Sequence, residues 1–427
     1  MIGGSGATQT AVERRTPDES RGIEFVLRFT DVGQASGYPA DDLEERVLSL
    51  TAHLGLAAPQ ISATPTIVEL SFGSLQEQRS YTFRVRPRAV DLDAIARLDN
   101  LVNHVLADRL EPAEGLEQLN EIQARPLVRP SLVRLAAYAV AGAAVTPVLG
   151  GGWPEVAAGA LVGLVVGVVV LLARQPAKTD AALAPLAAIA ASFTAASIVE
   201  LGLDASSDVV TLAALVTLLP GMTLTMGMRQ LATEHLQSGV ANTALALVQL
   251  LGLVFGVAVG RSVAANWFGV SPAPAPHATF TGTSVLAALA AGLAFTVTLR
   301  ASWRAAPIMC TATALAVVTN AAGKELFGPA AGVFIAALAI GVIGGLFSGV
   351  LKRSALVFVV PGVLMLVPGS AGFDSLLKLL TGETVGGIEA GFNTFVTAMA
   401  IAYGLMLSTI VLPRRFTAFG MREHANA

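Results

Sequence analysis

The chain has 427 residues, a net charge of -3, 54% hydrophobic and 13% charged residues, and a mean hydropathy of +0.66. An ordinary soluble domain carries about 25% charged residues, so these values exclude one and indicate a polytopic membrane protein. The near-neutral charge removes any electrostatic case for a nucleic-acid partner. A single cysteine, Cys310 in an apolar run, removes a disulfide framework or a cysteine metal cluster.

Charge is concentrated at the start: residues 1–130 hold 19 of the 30 acids and 13 of the 27 bases. Residues 1–22 lack the apolar core of a signal peptide and read as a disordered cytoplasmic tail. Residues 23–130 read as a cytoplasmic α+β domain. One amphipathic helix is expected over Ile23–Ala35. A second follows Tyr38-Pro39, with Leu43, Val47, Leu50 and Leu54 on one face and a stop at Gly55. Gln60–Phe72 and Ser80–Val85 read as a hairpin, with Pro65 marking a bulge or edge. Asp91 caps a third helix, and a fourth runs from Pro112 to Ala124.

From residue 132 onward come ten apolar runs: 132–150, 155–173, 181–201, 208–228, 239–260, 282–299, 305–323, 329–351, 354–370 and 386–412. Each is close to the roughly 20 residues that cross a bilayer. Basic residues set the orientation. Eleven (Arg134, Arg174, Lys178, Arg229, Arg300, Arg304, Lys352, Arg353, Arg414, Arg415, Arg422) fall on the side of the N-terminal domain, against Arg261, Lys324 and Lys378 on the other. Both termini are therefore expected in the cytoplasm. The membrane part divides into repeat 1 (131–260), a Pro-rich external linker (261–281), repeat 2 (282–413) and a cytoplasmic tail (414–427).

The fourth run contains Pro220-Gly221 and the ninth Pro368-Gly369, each followed by a polar-apolar segment, a glutamate (Glu234, Glu383) and an Asn-Thr pair (Asn242-Thr243, Asn393-Thr394). Proline removes a backbone donor, so a mid-span Pro-Gly is tolerated in a bilayer only where protein or a water-filled cavity satisfies the freed groups. Five spans per half is an odd number, which makes two such halves inverted repeats, an architecture of secondary transporters. The expected fold is a membrane all-α transporter with ten transmembrane helices and an N-terminal cytoplasmic α+β domain.

These residues resemble the threonine/serine exporter family. Gly37-Tyr-Pro39, Leu43-Glu44, Leu54-Gly-Leu56 and Thr64-Pro-Thr66 resemble its N-terminal domain; Pro220-Gly-Met-Thr-Leu224, Pro361-Gly362 and Pro368-Gly369 resemble the signatures of its membrane halves. The resemblance implies export of small hydroxy amino acids, driven by the membrane potential or proton gradient, across a bacterial inner membrane. It also implies an acidic and a basic residue around the positions of Arg229 and Asn242, and this sequence departs from that pattern there.

The expected substrate contacts are Pro220, Gly221, Asn242, Gln249, Pro368, Gly369, Asn393 and Thr394. Half-helices after the two breaks present N–H donors to a carboxylate, and amides in apolar runs supply oxygens, although interhelical hydrogen bonds would satisfy them equally. Glu200 and Glu389 are proton-coupling candidates. Ser192, Thr194 and Ser197 share a face that packs more readily than it binds. Ser49 and His53 stand four apart on a helix, as a nucleophile and base could, but without a third orienting group the chain reads as no enzyme. No Gly-rich phosphate loop, cofactor or metal is implied. The partners expected are small amino acids and the lipid bilayer, with a homo-oligomer allowed. Rival readings are a membrane-anchored sensor or hydrolase working through the soluble domain, and a small-solute channel.

Overall fold

The computed structural model describes residues 17–412 except 57–58, 65, 74–77, 86–89, 125–126, 174–179, 269–281, 352 and 367. The N-terminal α+β domain opens with α1 (Pro17–Ala35), which starts six residues before the expected Ile23, inside the segment read as a tail. Then come α2 (Ala40–His53), β1 (Gln60–Ala63), β2 (Ile67–Phe72), β3 (Arg79–Arg84), α3 (Leu92–Val105) and α4 (Pro112–Ala124). The expected first strand is two strands, because Thr64 turns the chain: its N–H donates to the Ile67 carbonyl at 2.8 Å and its hydroxyl accepts from the Ile67 N–H at 3.1 Å. The sheet is antiparallel in the order β1-β2-β3, with Val68 opposite both Ala63 and Phe83. Pro65 lies outside the described residues. Phe25, Phe29, Leu43, Leu50, Leu70 and Leu98 close the core, and Asp91 caps α3 by accepting from the Ala94 N–H at 3.0 Å.

The remaining helices are α5 (Ser131–Val148), α6 (Trp153–Leu172), α7 (Asp180–Glu200), α8 (Ser207–Leu215), α9 (Gly221–Ala232), α10 (Leu236–Phe268), α11 (Gly282–Thr298), α12 (Ala306–Phe327), α13 (Pro329–Leu351), α14 (Leu356–Leu366), α15 (Pro368–Leu380) and α16 (Thr384–Val411). Among the described residues eight spans are long and apolar enough to cross a membrane, and α8 with α9 forms a ninth, bent by 61°. The remaining expected run, the sixth at 282–299, is α11, whose 17 residues reach about 26 Å at 1.5 Å per residue, short of a ~30 Å hydrocarbon core. Of the segment expected as an external linker (261–281), residues 261–268 continue α10 to Phe268, and the rest lies outside the described residues, as do residues 1–16 and 413–427.

Several local contacts recur in the two halves at offsets of 148 to 150 positions. Thr146 donates to the Gly142 carbonyl at 2.8 Å, and 150 positions on Thr296 donates to the Gly292 carbonyl at 2.9 Å. The turns that follow match as well: the Gly151 N–H reaches the Thr146 carbonyl at 3.0 Å and the Ala301 N–H the Thr296 carbonyl at 2.9 Å, after left-handed residues Gly150 and Arg300. Gly256 packs on the Pro185 carbonyl and Ala188. Gly404 packs on the Phe334 carbonyl and Ala337, shifted by 148 or 149 positions. Such close helix approach through glycine is the usual way bilayer helices associate.

Candidate functional site

At the first break the chain leaves α8 through a 3-10 turn, Val216–Leu218, extends at Leu219 (φ -66°, ψ 130°) and restarts as α9 at Gly221. The second Pro-Gly falls between α14 and α15, which together make one span, Leu356–Leu380. The two breaks meet. A Cβ on Gly369 would stand 3.2 Å from the Gly221 nitrogen and 3.3 Å from its Cα, so the start of α15 lies on the start of α9. Thr217 and Thr225, on either side of Pro220, have buried hydroxyls without a hydrogen-bond partner, and Thr225 is fully buried. The start of α9, with N–H groups that its own helix cannot satisfy and the positive end of a dipole, lies here beside these hydroxyls.

Beyond the breaks the match runs at a constant offset of 148 from Pro220 to Gly239. Thr233 and Thr381 close α9 and α15 with N–H bonds of 3.0 Å to the Arg229 and Leu377 carbonyls. Glu234 (φ 65°) and Gly382 (φ 88°) take the same left-handed position. The His235 and Glu383 N–H groups each donate at 2.9 Å, to Gln230 and Lys378. Gly239 then packs on Leu231 as Gly387 packs on Leu379. Glu234 therefore corresponds to Gly382 and Asn242 to Ala390, so the paired glutamates and Asn-Thr motifs are not structural equivalents.

The expected contacts separate accordingly. Pro220, Gly221 and Gly369 are buried at the meeting point; for Pro368 only its place at the start of α15 is described. Asn242 donates to the Gln230 side chain at 2.7 Å, nine residues along α9 from Gly221 and so about 13 Å from the break. Thr394 is buried against Gly372 and donates to the Ala390 carbonyl at 2.8 Å. Gln249, Asn393, Glu200 and Glu389 are exposed. Ser192, Thr194 and Ser197 all donate back into their own helix. Ser49 donates to the Glu45 carbonyl at 3.0 Å while His53 faces Asp108 at 3.1 Å.

Sequence reasoning missed a second polar centre, where the N-terminal domain meets the membrane helices. Arg229, near the end of α9, lies 2.7 Å from Asp41 and 2.9 Å from Asp42 at the start of α2. Beside it Tyr38 donates to Asp99 at 2.5 Å, and Arg46 lies 3.4 Å from the same carboxylate. Glu44 faces His235 at 3.4 Å, Ser238 donates to the Ala63 carbonyl, and the Leu92 N–H reaches the Leu299 carbonyl at 3.0 Å. Burial pushes the Asp42 carboxyl up to about 8, with Arg229 opposing and Asp41 adding to the rise. Burial, reinforced by Asp99, raises the Tyr38 phenol.

Between these groups and α9, α13, α14 and α16 lies a cavity. Counted out to its mouth and including the solvent there, it holds about 680 Å³ of empty space. Its charged lining is Asp42, Arg46, Asp99 and Arg229, and its wall includes Ser354, Val359 and Leu405. The one sequence signal for this centre was an arginine inside an apolar run, which the orientation rule had absorbed. Among the described residues no group of three or more His, Cys, Asp or Glu side chains is placed to hold a metal ion.

Two family models cover the chain: the threonine/serine exporter model ThrE matches residues 24–264, and a second model described as "Threonine/Serine exporter, ThrE" matches residues 283–411. The chain is 24% identical over 425 residues to the threonine/serine exporter of Corynebacterium glutamicum, covering 95% of this chain and 86% of that one. It is 24% identical over 421 residues to the "Probable threonine/serine exporter" of Mycobacterium tuberculosis, covering 93% and 77%. It is also 25% identical over 420 residues to pheromone-regulated membrane protein 10 of Zygosaccharomyces rouxii, covering 91% of this chain but 42% of that longer one. No solved structure matches.

Proposed function

The chain belongs to the threonine/serine exporter family, as a membrane transporter and not an enzyme, and from that premise we propose that it exports L-threonine and L-serine by alternating access, coupled to the proton motive force. In this reading α11 counts as a tenth span, the two five-helix halves are inverted, the N-terminal domain and both termini face the cytoplasm, and the membrane is a bacterial inner membrane. The observation that carries it is the seating of Gly369 on Gly221, which brings two Pro-Gly helix starts together. Matched breaks of this kind are where secondary transporters bind substrate.

A zwitterion stripped of water needs donors for its carboxylate and oxygens for its ammonium. The N–H groups at the starts of α9 and α15 supply the first, and the Thr217 and Thr225 hydroxyls with the carbonyls freed at Pro220 supply the second. Gln249, Asn393, Glu200 and Glu389 are exposed, and this reading takes the two breaks as the substrate contacts. Cells loaded with labelled threonine should lose it faster when they express the protein than when they carry an empty vector. Equal efflux, with the protein present in the membrane, would overturn the reading.

A further inference from the structure

The cavity at the domain junction has polar groups that the protein itself leaves unanswered. Ser354 is 4% exposed, lines the cavity, and its hydroxyl has no hydrogen-bond partner. Asp42 is 6% exposed and uses one carboxylate oxygen on Arg229 while the other, also buried, has none. A buried hydroxyl or carboxylate oxygen without a partner is costly, so two in one cavity point to a ligand that completes them.

We propose that this cavity is a loading site for a small zwitterionic hydroxy amino acid, shared between the N-terminal domain and the membrane helices, in which Asp99 receives the ammonium with the unpartnered oxygen of Asp42 as a further acceptor, Arg46 receives the carboxylate and Ser354 the side-chain hydroxyl. The proposal rests on the transport reading and adds a site distinct from the Pro-Gly breaks. The charged lining, two acids and two arginines, suits a molecule carrying both signs; a lone anion would meet Asp42 and Asp99, and a lone cation the two guanidiniums. Val359 and Leu405 offer apolar wall to a methyl group. The N-terminal domain is then part of the binding machinery, and its undocking would dismantle the site.

The test measures binding of labelled L-threonine and L-valine, near-isosteres that differ by the hydroxyl, to full-length protein in detergent, alongside threonine transport. Ser354→Ala should weaken threonine binding about three- to tenfold, the size of one hydrogen bond, and leave valine unchanged. Asp99→Asn and Arg46→Gln should weaken both ligands, and Val359→Trp should block both in a protein that still elutes as a single species. If the parent transports threonine and these four variants bind both ligands within twofold of it, the loading site is refuted while the transport reading stands. If the parent neither binds nor transports threonine, both fail together.

Discussion

Gly369 rests on the backbone of Gly221, so closely that a methyl group added to Gly369 would stand 3.2 Å from the Gly221 nitrogen and from the Leu219 Cβ. Two of its three nearest neighbours are backbone atoms, which cannot swing aside as a side chain can. Gly369→Ala should therefore push α15 off α9, at a cost of about 1–3 kcal/mol as for other overpacked contacts. A lower melting temperature in detergent and transport reduced at least severalfold are expected. Parent-like stability and transport would mean the two breaks do not pack in the working protein.

Arg229 binds Asp41 and Asp42 together, 187 residues away in the chain. Removing one partner of a buried ion pair costs about 3–5 kcal/mol; uptake of a proton by Asp42 would relieve part of it. Arg229→Leu should loosen the N-terminal domain, seen as faster proteolysis between α4 and α5. Arg229→Lys should fall between, since an ammonium cannot fork between carboxylates as a guanidinium does. Unchanged proteolysis in Arg229→Leu would show that docking rests on other contacts.

The Asp42 carboxyl has a folded value of about 8 against about 3.9 for an unfolded chain. Between these limits the folded protein holds a proton that the unfolded chain has released, so stability falls as pH rises from about 4 to about 8. Glu44 and Glu45, raised first of all by burial, add to the same trend. The melting temperature should be higher at pH 5.5 than at pH 8, and Asp42→Asn should flatten the difference. An identical pH slope in parent and variant would contradict this assignment.

Much of the fold was legible because its signals are local. Asp91 before an amphipathic run marks α3, and the long apolar runs mark α5 to α16. At the strand split Pro65 was read as a bulge or edge and not as a turn because β-branched Thr64, Thr66 and Ile67 surround it, and the early start of α1 was hidden because a polar first turn resembles a tail. The likeness between the Pro220 and Pro368 segments was legible, but its register was not. Residue type pairs Glu234 with Glu383, whereas the backbone pairs Glu234 with Gly382 through their shared left-handed conformation. The junction around Arg229 was illegible because its partners lie in another domain, and helical periodicity says nothing about contacts between domains.

Ser49 and His53 have separate partners in the N-terminal domain, Glu45 and Asp108. Ser49→Ala and His53→Ala should each leave transport within about twofold, as expected where no transition-state role is lost. A tenfold loss at normal expression would revive a hydrolytic role for this domain.

Export of threonine against its gradient is tested most directly in inverted membrane vesicles, where the side proposed to carry the N-terminal domain faces the medium. Vesicles containing the protein, once energised, should accumulate labelled threonine above the outside concentration and lose that accumulation when an uncoupler is added. Equilibration that is indifferent to the uncoupler would make the protein a channel, and uptake no greater than in vesicles lacking it would contradict threonine export.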